Sequence, residues 1–206
     1  MNKLSRQRLS LGLLLAALAA PAAAADKGDW SLSLGAHSVN PASDNGSLAG
    51  GTLDADVGSN WRPTVTAEYF VTPNLGIEVL ASLPFEHDIS VNGVKAGSTK
   101  HLPPTVSLQY HFAGEKVSPF VGAGVNYTLF FDTDTNGPLA GADLDLDNSW
   151  GLAAHAGLDF KLAENRALRV DVRWIDIDTD VSVNGTKLGK VKIDPFVYGV
   201  AYVWNF

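Results

Sequence analysis

The stretch Phe196-Val197-Tyr198-Gly199-Val200-Ala201-Tyr202-Val203-Trp204-Asn205-Phe206 decides the fold. Successive side chains of a β-strand point to opposite faces. Here one face carries Phe, Tyr, Val, Tyr, Trp and Phe, and the other Val, Gly, Ala, Val and Asn. One face is large and aromatic, the other small, and the alternation is read as one segment, Val191–Phe206. The same period of two recurs upstream. In Ser149–Leu162, Trp150, Leu152, Ala154, Ala156, Leu158, Phe160 and Leu162 oppose Gly151, Ala153, His155, Gly157, Asp159 and Lys161. In Ala167–Trp174, Leu168, Val170, Val172 and Trp174 oppose Arg169, Asp171 and Arg173. Pro119–Phe131, Leu102–Phe112 and Leu75–Phe85 alternate likewise; in the last, Phe85 joins Leu75, Ile77, Val79, Ala81 and Leu83 on the large face. Weaker alternation marks Trp30–Val39 and Thr64–Val71, which makes eight strands, and no useful 3.6-residue period appears after Trp30.

Strand length decides the solvent. Soluble strands are mostly about 5–6 residues long, whereas these run to roughly 10–17, enough for a tilted strand to cross a bilayer. The connections alternate as well. Thr72-Pro73-Asn74, Gly114-Glu115-Lys116 and Ala163-Glu164-Asn165-Arg166 are tight; Pro41–Asn60, Ser90–Thr99, Asp134–Asn148 and Asn184–Lys190 are longer and rich in Gly, Asn, Asp and Ser. That pattern predicts an all-β fold, an eight-stranded antiparallel transmembrane β-barrel of the bacterial outer membrane, with large apolar residues on lipid and small or polar ones in the lumen. Trp30, Tyr69, Tyr110, Trp174, Trp204 and Phe206 suit its aromatic girdles. A secreted sandwich or lipocalin-like barrel would wet the charged residues easily but fits neither the strand lengths nor the loop asymmetry.

The N-terminus carries an address. Lys3, Arg6 and Arg8 precede the apolar run Leu9–Ala20, Pro21 breaks it, and Ala22–Ala25 offers small residues for cleavage. Residues 1–25 read as a signal peptide and 26–206 as one barrel domain with both termini in the periplasm. The 206 residues include no cysteine, which excludes disulfides and thiolate chemistry. A net charge of −7 excludes nucleic acid as a partner.

Several blocks occur in order: Asn74-Leu75-Gly76-Ile77-Glu78 after Tyr69, Pro84-Phe85-Glu86-His87, Leu102-Pro103-Pro104, Pro119 through Tyr127, Phe130-Phe131-Asp132, Ser149-Trp150-Gly151, Trp174 through Thr179, and Asp194-Pro195. Together they resemble the outer membrane protein W family, which includes alkane-import outer-membrane proteins. The resemblance implies a monomeric eight-stranded barrel among outer-membrane lipid and lipopolysaccharide, whose narrow lumen admits small hydrophobic solutes and releases them sideways into the bilayer. Its loops offer a different reading, a surface receptor or structural barrel bound by phage, bacteriocin or host factors.

The lumen residues fall into two zones. Glu68, Glu78, Gln109, His111, Asp159, Lys161, Arg169, Asp171 and Arg173 carry both signs of charge and are expected to pair into a polar plug, because burying them unpaired costs several kcal/mol each. Leu80, Phe130, Ile175 and Ile177 are expected to form an apolar vestibule nearer the loops. Leu80 matches a position where the family places an apolar constriction; Arg173 stands where the family carries an aromatic. Pro84 and Pro104 cannot donate to a ladder and mark either the edges of a gap in the wall or bulges. Gly122 and Gly124 make room in the lumen. Asp143, Asp145 and Asp147, like Asp176, Asp178 and Asp180, alternate along an outer rim; their spacing is not that of a calcium loop, so no metal site is assigned. No cofactor is called for. His37-Ser38 hints at a hydrolase, but neighbours on a strand face opposite ways, and the chain is read as no enzyme.

Overall fold

The computed structural model describes residues 25–206; the expected signal peptide lies, all but Ala25, outside the described residues. Fifteen strands follow one another: β1 Trp30–Asn40, β2 Ser47–Leu48, β3 Leu53–Val57, β4 Asn60–Thr72, β5 Leu75–Ser82, β6 Phe85–Val91, β7 Val94–Leu102, β8 Thr105–His111, β9 Val117–Thr135, β10 Leu144–Leu146, β11 Ser149–Ala163, β12 Arg166–Ile175, β13 Asp178–Val183, β14 Thr186–Lys192 and β15 Phe196–Asn205. Eight of them close a ring, β1–β4–β5–β8–β9–β11–β12–β15, every pair antiparallel. The last pair, β1 with β15, runs from Ser31 opposite Asn205 to Asn40 opposite Phe196, so the ring has no free edge. A closed sheet is what an apolar solvent requires, since lipid offers no partner to an unpaired N–H or C=O.

The side chains are turned out as the alternation predicts. Leu34, Leu108, Val125, Leu152 and Tyr198 are all at least half exposed, while their neighbours Ser33, Gln109, Asn126, Ala153 and Val197 are buried. In water such a greasy exterior would be a liability; in a bilayer it is the contact surface. Aromatic pairs mark two levels. Trp30 packs on Tyr69, Tyr110 on Phe112 and Tyr202 on Trp204 near the short turns. Tyr127 packs on Trp150, with Trp61 and Trp174 exposed, near the long connections.

Beyond the second girdle the wall continues as a further storey. β3, β6, β7 and the upper part of β9 form one ladder, and β10, β13 and β14 another. Their outward residues include Glu86, Asp88, Lys95 and Lys100, which places this storey in water. Three segments expected as single strands are therefore split. Leu75–Phe85 breaks at Leu83-Pro84, Leu102–Phe112 at Pro103-Pro104, and Val191–Phe206 at Ile193-Asp194-Pro195. Proline lacks the ladder N–H and restricts the residue before it. The first break also shifts the phase: Leu83 faces out, but Phe85, expected on the lipid side, is 2% exposed inside. Two of the expected loops are largely hairpins that turn on Asn92-Gly93 and Asn184-Gly185, all four residues with positive φ, the geometry that two-residue hairpin turns demand.

Candidate functional site

The plug is built from the lumen faces of six strands. Glu68 on β4 and Glu78 on β5 stand directly opposite one another in the ladder, a like-charge pairing unfavourable by itself. Arg169 on β12 reaches across the lumen to both, with its Nη1 3.3 Å from Glu78 and its Nη2 4.0 Å from Glu68. The same guanidinium donates in a fork to Asp159, 2.7 Å from Nε and 2.8 Å from Nη2, and lies 4.3 Å from the centre of the Phe120 ring. Arg173 donates to Glu78 at 2.6 Å and to Asp171 at 2.8 Å. Gln109 donates to Glu68 at 2.8 Å, and His111 Nε2 lies 2.9 Å from the other Glu68 oxygen. Four carboxylates thus share two guanidiniums, and all six groups are buried. Planar Arg forks suit this task because they saturate carboxylate lone pairs in fixed geometry.

Two members were not assigned to the plug from the sequence. His37 bridges Thr64 Oγ1, 2.6 Å from its Nδ1, and Asp171, 3.2 Å from its Nε2. His155 Nε2 donates to Gln109 Oε1 at 2.8 Å. His155 lies on the face that the alternation assigned to the lumen, whereas the weak alternation of Trp30–Val39 left the face of His37 open; Gly199, which faces His37, has no room for a Cβ there. Thr64, His37 and Asp171 are ordered like a hydroxyl–imidazole–carboxylate relay, but neither cavity described below is lined by Thr64 or His37. Lys161 is half-buried at the mouth of the lumen rather than in the centre of the plug.

Cavities lie on both sides of the plug. Toward the short turns one of about 440 Å³ with a mixed polar and apolar lining is bordered by His111, Asp159 and Arg169 and by Asn74, Lys161 and Phe206. Toward the long connections lies one of about 220 Å³ lined by Leu48, Val57, Phe130, Leu144, Val181 and Val191 among others, almost wholly aliphatic. Of the expected vestibule residues, Phe130 lines this cavity. Ile175 and Ile177 belong to the buried apolar cluster that continues its walls, and Leu80 is buried separately, one lumen position above Glu78.

The wall itself is interrupted. Ladder pairing between β5 and β8 ends at Leu80 opposite Thr105, and pairing between β6 and β7 begins at Phe85 opposite His101. Between them, residues 81–84 and 102–104 share no ladder pair. Their backbone groups look elsewhere. Pro84 O accepts from Arg62 Nε at 3.0 Å, Pro103 O and Pro104 O from Asn126 Nδ2 at 3.0 and 3.2 Å, and Leu83 N donates to Pro63 O. Separating the two edges here breaks no hydrogen bond.

Above the break, in the water-exposed storey, two imidazoles meet. His87 and His101 are 3.0 Å apart through their Nε2 atoms, packed among Phe85 and Phe130. Burial pushes His87 below its usual range, with Arg62 adding to the effect and Asp88 opposing it. Burial and His87 push His101 down to about 3. Both are neutral in the fold and basic when exposed, so their contribution is intact above about pH 6.5 and declines as pH falls from there toward 3. Amide exchange corrected for intrinsic rates should therefore quicken in β6–β7 between pH 7.5 and 5 while β11–β12 stays protected. Equal protection at both pH values would contradict this.

On the outer rim, Lys187 pairs with Asp180 and Lys190 with Asp178, so the second acidic row is partly neutralised. Among the described residues no group of three or more His, Asp or Glu is arranged to hold a metal.

The sequence profile of the OmpW family matches residues 26–206. Outer membrane protein W of Vibrio cholerae serotype O1 is 38% identical, over 95% of this chain and 97% of that protein. Outer membrane protein AlkL of Ectopseudomonas oleovorans is 32% identical over 90% of this chain and 86% of that one. The crystal structure of the outer membrane protein OprG from Pseudomonas aeruginosa superposes with a TM-score of 0.77 at 32% identity, covering 90% of this chain and 99% of that chain. A closed eight-stranded ring, an outward apolar belt and whole-length similarity lead to one conclusion: this chain belongs to the OmpW family and is a β-barrel of the Gram-negative outer membrane.

Proposed function

We propose that this barrel carries small hydrophobic molecules from outside the cell into the outer membrane, without passage through the periplasmic end of the lumen. The observation that carries the reading is the order of three features along β5 and β6: Glu78 in the paired charge plug, then a stretch, residues 81–84, with no hydrogen bond across to β7 and β8, then His87 in the lining of the aliphatic cavity. An apolar solute that leaves water for such a cavity gains roughly 0.8 kcal/mol per CH₂ buried. The plug offers it nothing, because every step downward would desolvate ion pairs. The break at 81–84 and 102–104 leads instead to hydrocarbon. Leu80 lies on the lumen side of that break and acts as its apolar sill. The plug is read as a seal against ions, and Arg173 as part of that seal. The barrel works as a monomer in lipid and lipopolysaccharide, since the ring closes on itself.

Cells lacking the chain should take up radiolabelled alkanes or alkylbenzenes more slowly than cells expressing it. Leu80→Arg, which puts a solvated charge on the sill, should lower uptake to the level of cells without the protein while leaving its amount in the membrane unchanged. Uptake equal in all three strains would remove the proposal.

A further inference from the structure

Asparagine followed by glycine occurs four times, at Asn45-Gly46, Asn92-Gly93, Asn136-Gly137 and Asn184-Gly185. All four lie in the long connections, on the water-exposed side of the outer girdle. Such a pair can react with itself. The glycine nitrogen, which no side chain shields, attacks the asparagine Cγ. A C–N bond forms, the Cγ–Nδ2 bond breaks, and the glycine N–H proton leaves with the amide nitrogen as ammonia. Water then opens the five-membered imide, at one carbonyl to aspartate and at the other to isoaspartate, whose main chain runs through the former side chain. The four pairs are identical in sequence but are held differently by the fold.

Asn45 is 1% exposed and tied at both ends of its amide: Nδ2 donates to Lys192 O at 2.7 Å, and Oδ1 accepts from Val57 N at 2.9 Å. Asn92 and Asn184 are exposed, but each Oδ1 accepts a backbone bond, from Asp54 N at 2.8 Å and from Asp143 N at 2.9 Å. Both also sit at positive φ, 50° and 49°. In that left-handed conformation, with ψ near about +47°, the following nitrogen stands nearly opposite Cβ across the Cα–C bond. Reaction there has to release the side chain and undo the hairpin turn together.

Asn136 is held by neither device. It is exposed, and its side chain makes no hydrogen bond among the described residues. Its backbone is extended, with φ −148° and ψ −178°, which leaves the Gly137 nitrogen gauche to Cβ, a partial rotation from ring closure. That rotation loosens one bond, Leu139 N to Asn136 O at 3.0 Å, in a single 3₁₀ turn. Its neighbour is fixed as glycine: Gly137 has positive φ, and a Cβ there would run into Lys95 O.

We infer that Asn136 is a site of spontaneous deamidation in the folded barrel, the first of the four pairs to convert, and that conversion puts a new carboxylate beside the wall of the aliphatic cavity. Pro138 and Leu139, which follow at once, line that cavity. The isoaspartate form also adds one main-chain methylene just ahead of them.

The mature chain in phosphatidylcholine nanodiscs is kept at neutral pH beside a sample unfolded in urea, and both are mapped over time by peptide mass spectrometry that separates aspartate from isoaspartate. In the folded barrel Asn136 should convert about tenfold faster than Asn92 and Asn184, the factor that releasing one neutral hydrogen bond implies. Asn45 should stay intact. In urea the four should convert at similar rates, because only the fold distinguishes them. Equal rates at Asn136, Asn92 and Asn184 in the folded barrel would overturn the inference. So would the same order with the same ratios in urea, which would trace the preference to flanking sequence. Aspartate without isoaspartate at Asn136 would overturn it too, since no imide would then have formed. None of these outcomes bears on the uptake reading.

Discussion

Arg169→Met is expected to destabilise the barrel by about 3–5 kcal/mol, the usual consequence of removing one partner from a buried ion cluster. The residue is 1% exposed, so solvent screening does not soften the effect. Its removal leaves Asp159 without its forked partner and weakens the hold on Glu78 and Glu68, which face each other across the β4–β5 ladder. Methionine fills much of the volume but offers no donor. The midpoint of urea unfolding in detergent micelles, followed by the mobility of the folded band on unheated gels, measures the loss. Asp159→Leu added to Arg169→Met should recover part of it, because an unpaired carboxylate is then no longer buried. An unchanged midpoint in the single variant would mean that the plug is not held by these pairs.

Val181→Trp is expected to abolish uptake of hydrophobic solutes while the barrel folds and inserts normally. Val181 is buried in β13 and lines the aliphatic cavity of about 220 Å³. The larger indole enters an existing cavity rather than a packed core, so overpacking strain is reduced. Uptake should fall at least about tenfold, to the level of cells lacking the protein, since the energetic reward for leaving water vanishes with the space. Retained uptake with the cavity filled would place the route elsewhere.

The barrel was legible in the sequence because its signal is local. Alternation along Ser149–Leu162 or Phe196–Phe206 depends only on residues two apart, and lipid leaves no alternative to a closed ring. Lumen residues such as Arg169 and Glu78 could be named for the same reason. Which of them meet could not. Whether Arg173 reaches Glu78 or Asp171, and whether His37 stands at the height of Asp171, depends on the stagger of strands far apart in the chain. His155 was visible on the correct face and His37 only in a weak strand whose faces were open, and nothing local tied either to the plug. The water-exposed storey escaped for a different reason. Its strands show polar residues such as Glu86, Asp88, Asp178 and Asp180 to water, so they resemble loops in composition. The Asn-Gly pairs at 92–93 and 184–185 were the available signal for hairpins there. Pro84 by itself signals either a gap edge or a bulge; the phase shift that buries Phe85 arises at that proline and cannot be extrapolated from the alternation before it.

The path of the solute is the central claim, and a photoactivatable alkyl diazirine tests it most directly. Cells expressing the protein are irradiated with the probe, and labelled lumen residues are mapped by mass spectrometry. Outward-facing residues, which lipid-dissolved probe reaches in any case, are set aside. Labelling of Phe130, Leu144 and Val181 above the plug, with none at Phe70, Asn74 or Lys161 below it, is the predicted result. Labelling that continues through the lumen to those periplasmic residues would show passage through the plug and contradict the account.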